Sequence, residues 1–162
     1  MDADRLDAHL ESGGFDGYLI DAAGSDSDQR YLSGFDAPDP FLTLYTPSSL
    51  RLLVSELEYG RAREESAGDV VTRLSDFDFA DRREELGSRA ARRAVAASFV
   101  EDVGVESLAV PGRFPLDTAD GLREAGVTVE PDDEGIVTRI RSVKTDDEVA
   151  AIRAVQRATE EA

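Results

Sequence analysis

The sequence predicts an α/β domain built on a mixed, partly parallel sheet covered by helices. Three observations carry that expectation. From Leu50 onward, short apolar runs alternate with helical segments, the order that lays strands side by side with crossover helices. Before that, "FLTLYTP" (41–47) and "LRLLVS" (50–55) are separated only by a short serine turn, which predicts an antiparallel hairpin. Finally, 41% of the 162 residues are hydrophobic, enough for one core, so global disorder is excluded. The length fits one domain, or one domain with part of a second.

The elements follow in order. "DADRLDAHLESGG" places Leu6 and Leu10 at i, i+4 and stops at Gly13-Gly14, predicting a helix. "YLID" (18–21) reads as a short buried strand, and "AAGSDSD" as a loop that continues into "DQRYLSGF" (28–35). After the hairpin, "SELEYGRAREES" is a helix with Ser55 at the N-cap and Glu58 at the capping-box position, weakened at Gly60. "DVVTRL" (69–74) is a strand. "DFDFADRREELGSRAARRAVAASFVEDVG" begins as an acidic loop and becomes one long helix ended near Gly104. "ESLAVP" (106–111) is a strand, Pro115 to Gly126 a helix with proline at its start and glycine at its end, and "VTVEP" a last strand. No internal repeat or low-complexity tract appears.

The C-terminal part differs. Ile136 to Val143 is an apolar and basic connector. Thr145 and Glu148 then stand at the N-cap and N3 spacing of a capping box. Asp146 and Asp147 fall in the first turn, where the helix dipole favours acids. Val149, Ile152 and Val155 recur at three-residue intervals, a stripe that needs a partner surface. That partner is either the same domain or a segment beyond.

Charge excludes several functions. Asp and Glu number 35 against 18 Lys and Arg, a net −17, and Lys144 is the only lysine. Nucleic acid and anionic membranes are therefore poor partners. The acids are spread along the whole chain rather than clustered for a basic partner, so the excess reads as adaptation to a very salty, halophilic cytoplasm. No apolar run approaches the ~18 residues of a membrane span, and the acidic, polar N-terminus does not read as a signal peptide. Cysteine is absent, which removes disulfides and thiolate chemistry.

Few residues offer chemistry. His9 is the only histidine and is expected to face solvent, so zinc sites of the Cys or His type and Cys–His catalysis are excluded. The acid clusters Asp26/Asp28, Asp36/Asp39, Asp76/Asp78/Asp81 and Asp132/Asp133/Glu134 lack calcium-loop spacing and follow from composition. Asp21 stands at a strand end, where α/β folds place functional acids. It is the one candidate for a small acid-using hydrolase. No phosphate-binding glycine motif or G-x-S-x-G elbow is present. "DQRYLSGF" stands out: Tyr31 and Leu32 can anchor a loop while Gly34 permits φ > 0. It reads either as a buried loop anchor or as the wall of a neighbouring pocket.

Two stretches together carry a resemblance. "DQRYLSGF" is similar to a loop that reads asparagine followed by R-Y-L-T-G-F in the N-terminal domain of creatinase, prolidase and Xaa-Pro aminopeptidase. "RSVKTDDEVAAIRAV" resembles the R-x-x-K-[ST]-x-x-E-[IV]-x-x-[IL]-R-x-A hinge that leads into their catalytic domain, with Arg141, Lys144, Thr145, Glu148, Val149, Ile152 and Arg153 matching in order. Asp28 stands where the family often has asparagine, and Ser33 replaces threonine.

The resemblance implies a ribonuclease H-like layering, with residues 1–135 as the N-terminal domain, 136–146 as hinge and 147–162 as the first helix of a catalytic domain outside this sequence. It implies a non-catalytic domain of a cytoplasmic, metal-dependent Xaa-Pro dipeptidase or aminopeptidase P (creatinase-like activity being the other possibility). The domain would support a homodimer and control access to the active site. Tyr31, Ser33, Gly34, Phe35 and Asp36, with the adjacent "DAPDPF", are the implied access or interface loop, and Arg141, Lys144, Thr145 and Glu148 the hinge. No catalytic or metal-binding residue is expected here. The family's two divalent metals (Mn, Co or Zn), which activate a bridging water, belong to the catalytic half, the expected partner in cis. The alternative is a free-standing α/β binding or assembly module, whose terminal stripe binds another chain.

The charge yields the first prediction. Self-repulsion is screened over ~10 Å at 0.1 M salt but over only ~3 Å at 1 M. Thermal melting temperature should therefore climb steadily from dilute buffer to molar KCl. A protein fully stable at very low ionic strength would contradict the halophilic reading.

Overall fold

The computed structural model describes residues 2–144 and 146–160, and of 146–148 the backbone only. Helix α1 (Ala3–Gly13) starts at Asp2, whose carboxylate accepts from the Arg5 N–H, and ends at the left-handed Gly14. Strand β1 (Gly17–Ala22) follows, then α2 (Ser27–Ser33), the hairpin β2 (Phe41–Thr46) and β3 (Ser49–Val54), α3 (Tyr59–Glu65) and β4 (Val70–Arg73). A 3₁₀ turn (Leu74–Phe77) leads to α4 (Phe79–Leu86) and α5 (Ser88–Val103). Then come β5 (Ser107–Pro111), α6 (Leu116–Glu124), β6 (Thr128–Asp132), α7 (Ile136–Ser142) and α8 (Asp146–Glu160).

The strands form one six-stranded sheet in the order β4-β3-β2-β1-β5-β6. β1 pairs antiparallel with β2, and β2 with β3, while β1–β5, β3–β4 and β5–β6 are parallel. The predicted mixed sheet and hairpin are both present. The central strands are apolar on both faces because helices cover both. Tyr18, Ile20, Phe41, Tyr45, Leu52 and Val54 enter one core with Leu6 and Leu10 of α1, Leu32 of α2, and Ile136, Val137 and Ile140 of α7. Leu19, Leu42, Leu44, Leu53, Leu108 and Val110 enter the other with Val95, Phe99 and Val100 of α5 and Leu122 of α6. Each such side chain contributes about 1.5–3 kcal/mol when fully buried.

Four local expectations are corrected. "DQRYLSGF" is not a loop: Ser27–Ser33 is helix α2, because the Asp26 carboxylate accepts from the N–H groups of Asp28 and Gln29 and starts the helix. Ser55 does not cap α3. Residues 56–58 form a turn, and the helix begins at Tyr59 after Glu58 without a side-chain cap. The long helix is two. At Gly87, φ is 81° and ψ 161°, which no helical residue adopts, so α4 ends and α5 restarts. The connector after Ile136 is itself helical: α7 is held by an apolar stripe on the first core.

In α8, residues 150–160 are exposed, with Ile152 46% and Val155 67% accessible. Of the stripe read from the sequence, Ile152 and Val155 therefore face outward within this chain and Val149 is half-buried. The expected cap at Thr145 and Glu148 lies outside the described residues.

Gly34 closes α2 with φ 65°, and a Cβ there would lie 3.3 Å from the Ala67 nitrogen. Gly34→Ala should cost about 1–2 kcal/mol through the left-handed backbone alone. In a domain of this size that lowers the melting temperature by roughly 2–8 °C. An unchanged melting temperature would mean the turn relaxes freely.

Candidate functional site

All the parallel strands point their carboxyl ends to one edge of the sheet, and the chain's uncommon polar chemistry gathers there. Its centre is Asp28. N-capping by Asp26 fixes the first turn of α2 and turns the Asp28 side chain toward the loop after β5 and toward α7. The carboxylate is 6% exposed. Its Oδ2 accepts from Arg113 Nη2 (2.8 Å) and Thr138 Oγ1 (2.7 Å), and its Oδ1 from Arg141 Nε (3.0 Å). Arg113 also grips Asp26, with Nε at 2.7 Å and Nη2 at 2.8 Å from its two oxygens. Two acids thus share one guanidinium, and their mutual repulsion is offset by Arg113 and Arg141 together. Burial alone would raise the Asp28 carboxyl. The hydrogen bonds from Arg113, Thr138 and Arg141 outweigh it and hold the group below its usual range.

A second buried acid sits at the other end of α7. Asp132 takes the Tyr18 hydroxyl on Oδ2 (3.1 Å) and the Ile136 N–H on the same oxygen (2.7 Å). Its Oδ1 accepts the N–H groups of Glu134 and Gly135 at 3.0 Å. His9 Nε2 lies 3.5 Å from that oxygen. His9 is therefore packed against Asp132, with 15% of its side chain exposed, rather than facing solvent as its surroundings in sequence suggest. Burial, and then the Asp132 charge, push the Tyr18 phenol well above its ordinary value.

Asp21 occupies a third position on the same edge. It lines a cleft of about 260 Å³ with Phe41, Leu42, Leu53, Leu74 and Arg92, and accepts the Thr118 hydroxyl at 2.6 Å. Burial raises its carboxyl, opposed by the Thr118 hydrogen bond and the Arg92 charge. None of the acid clusters is a metal centre: among the described residues, no group of three or more His, Cys, Asp or Glu could hold an ion. The acids cap helices or pair with arginines instead, as Asp76 does with Arg73 and Asp36 with Arg30.

The residues expected in an access or interface loop separate into two groups. Ser33 and Phe35 are fully buried. Ser33 donates to the Gln29 carbonyl (2.7 Å) and accepts the Phe35 N–H (3.1 Å). Phe35 stacks edge-on to Phe41 with the Arg61 guanidinium over its ring. Tyr31 is half-buried, and Gly34 and Asp36 are exposed, Asp36 being paired with Arg30 at 2.9 Å. Pro38, Asp39 and Pro40 continue this exposed run along the same edge. Of the hinge residues, Arg141 binds Asp28 and the Lys144 ammonium donates to the Arg141 carbonyl. Thr145 and the Glu148 side chain lie outside the described residues. Sequence reading missed Arg113 altogether. It has no motif, and only the fold brings it 85 residues back to Asp28.

The fold and this edge define a class: a mixed-sheet α/β domain in which the segment after the first strand is locked to the helix that carries the chain out. Residues 3–143 match the creatinase/prolidase N-terminal domain, and the chain belongs to that family. A comparison with curated proteins found no match. Solved structures share the fold. A Xaa-Pro dipeptidase from Bacillus anthracis superposes with a TM-score of 0.69 at 17% identity, over 91% of this chain and 37% of the other. The prolidase from Pyrococcus horikoshii OT3 gives 0.66 at 22% identity, over 99% and 42%. The N-terminal domain of the cytoplasmic peptidase PepQ from Mycobacterium tuberculosis H37Rv gives 0.59 at 21% identity, over 85% and 95%. The chain thus spans well under half the length of the first two. No helix among the described residues is long and apolar enough to cross a membrane.

The Asp28 geometry has a pH consequence. A carboxyl depressed in the folded state stabilises the protein above its unfolded value, here 3.8, and loses that contribution as pH falls through the folded value. Asp28→Asn should cost about 1–3 kcal/mol near neutral pH. The gap from the parent should narrow below pH ~4, read by urea unfolding at several pH values. A gap independent of pH would show that charge at Asp28 is irrelevant.

Proposed function

We propose that this chain is the non-catalytic N-terminal domain of a metal-dependent Xaa-Pro dipeptidase or aminopeptidase P. The observation that carries this is family membership over residues 3–143, together with solved relatives, more than twice as long, described as Xaa-Pro dipeptidase and prolidase. The polar chemistry supports the same reading. Asp132 is committed to the cap of α7, Asp21 to a hydroxyl and Asp28 to two arginines, and among the described residues no group of three or more His, Cys, Asp or Glu could hold an ion. Hydrolysis then belongs to a C-terminal catalytic domain in cis, which would supply the two divalent ions (Mn, Co or Zn) and the water that they activate. The stripe on α8, with Ile152 and Val155 exposed and Val149 half-buried, is the surface offered to that domain.

In this reading the run carrying exposed Gly34, Asp36, Pro38, Asp39 and Pro40, flanked by Tyr31, faces a second subunit and restricts access to its active site. Buried Ser33 and Phe35 hold that run in place rather than touching the partner. The protein is a homodimer of a salty cytoplasm, and its acid excess keeps it soluble there. A cytoplasmic relative of the same fold is consistent with that location.

Two measurements test the reading. Intact mass of the native protein, detected in cell extract with an antibody to this domain, should be well above the 17.5 kDa of this chain. A native mass equal to this chain would favour a free-standing binding module instead. The purified 162-residue chain should show no turnover of Xaa-Pro dipeptides with added Mn or Co. Measurable hydrolysis would place catalysis within these residues and overturn the assignment.

A further inference from the structure

Helix α7 has two kinds of attachment, and they do different things. Ile136, Val137 and Ile140 bury an apolar face against the first core. Such contact is strong but non-directional, and it tolerates rotation or sliding of a seven-residue helix. Thr138 and Arg141, at i and i+3, lie along one edge of the same helix and both donate to Asp28. Charge-assisted hydrogen bonds are short and angular, and they fix a helix about its axis. Asp28 itself is held in place: Asp26 caps its helix, and Arg113 grips both acids. Among the described residues the other polar ties near the end of α7 are local: Ser142 donates to the Arg139 carbonyl, Lys144 to the Arg141 carbonyl, and Arg139 pairs with the exposed Glu134.

We propose that Asp28 is a latch that sets the rotation of α7 through Thr138 and Arg141, and so the direction in which the chain leaves the domain at Val143 toward α8. The latch joins two segments 113 residues apart, the helix after the first strand and the exit helix. Its apolar contacts keep α7 docked; its hydrogen bonds aim it. Arg141 is a positioning residue, not a catalytic one. The consequence for a following domain rests on the function proposed above, but the latch itself does not.

The test uses this chain. Amide hydrogen exchange should be at least tenfold faster at residues 140–143 in Arg141→Gln, with exchange in β1, β2 and α5 unchanged. Arg141→Lys should restore most of the protection, and Thr138→Val, which removes one donor without shortening the side chain, should give an intermediate effect. The chain has no cysteine. Spin labels at Ala8→Cys and Ala154→Cys, both exposed positions, therefore report the aim of α8 directly. A distance distribution that is narrow in the parent and broad in Arg141→Gln supports the latch. Equal distributions, unchanged exchange at 140–143, or acceleration across the whole chain would each overturn it. None of these readouts requires a catalytic domain, so their failure leaves the proposed function standing.

Discussion

Strand β1 carries the constraint from which both cores follow. It is hydrogen-bonded on one side to an antiparallel neighbour and on the other to a parallel one, and it is covered on both faces. A strand so placed must be apolar at successive positions, and Tyr18, Leu19 and Ile20 are each at most 1% exposed. Because side chains alternate, Tyr18 and Ile20 commit one face to α1, α2 and α7, and Leu19 commits the other to α5 and α6. A slip of one residue would exchange the two sets and bring the Tyr18 hydroxyl out of reach of Asp132. Register in β1 thus fixes the packing of the sheet and the capping of α7 together.

The same strand explains how a chain of such acid excess keeps a folded interior. Most of its ion pairs lie at the surface, where each is worth little. The acids that matter are few and buried. Asp132 and Asp28 each accept several donors, so the cost of withdrawing charge from water is met at the site. Both acids hold α7, one at its N-terminus and one along its edge. The helix read from the sequence as a plain connector is held by two buried acids and an apolar face.

Asp21 shows why a strand-end acid is a weak indicator of chemistry. Its position at the carboxyl end of β1 matches the place where α/β folds put functional groups. Yet its nearest partner is the Thr118 hydroxyl, which anchors α6 to the strand, and its cleft mixes core side chains such as Leu42 and Leu53 with Arg92, Arg93 and Asp117.

Hydrophobic periodicity and turn residues were enough to write the strand set, the hairpin, the mixed sheet and the positive φ at Gly34, because these depend on neighbours within a few residues. The two motifs of the family were legible for the same reason. Helix α2 was hidden because its start depends on the Asp26 cap, which in an acid-rich loop looks like any other aspartate. The break at Gly87 was hidden because glycine also occurs inside helices, and only the docking of α5 on the sheet requires two directions. His9, Arg113 and Asp132 carried no motif. Their roles arise from approach across 85 residues or more, which no local pattern encodes. Sequence determined the family, the layers and the residues at both ends of the latch. Only the tertiary structure decided that those ends meet, since a buried carboxylate takes its meaning from the donors that the fold brings to it.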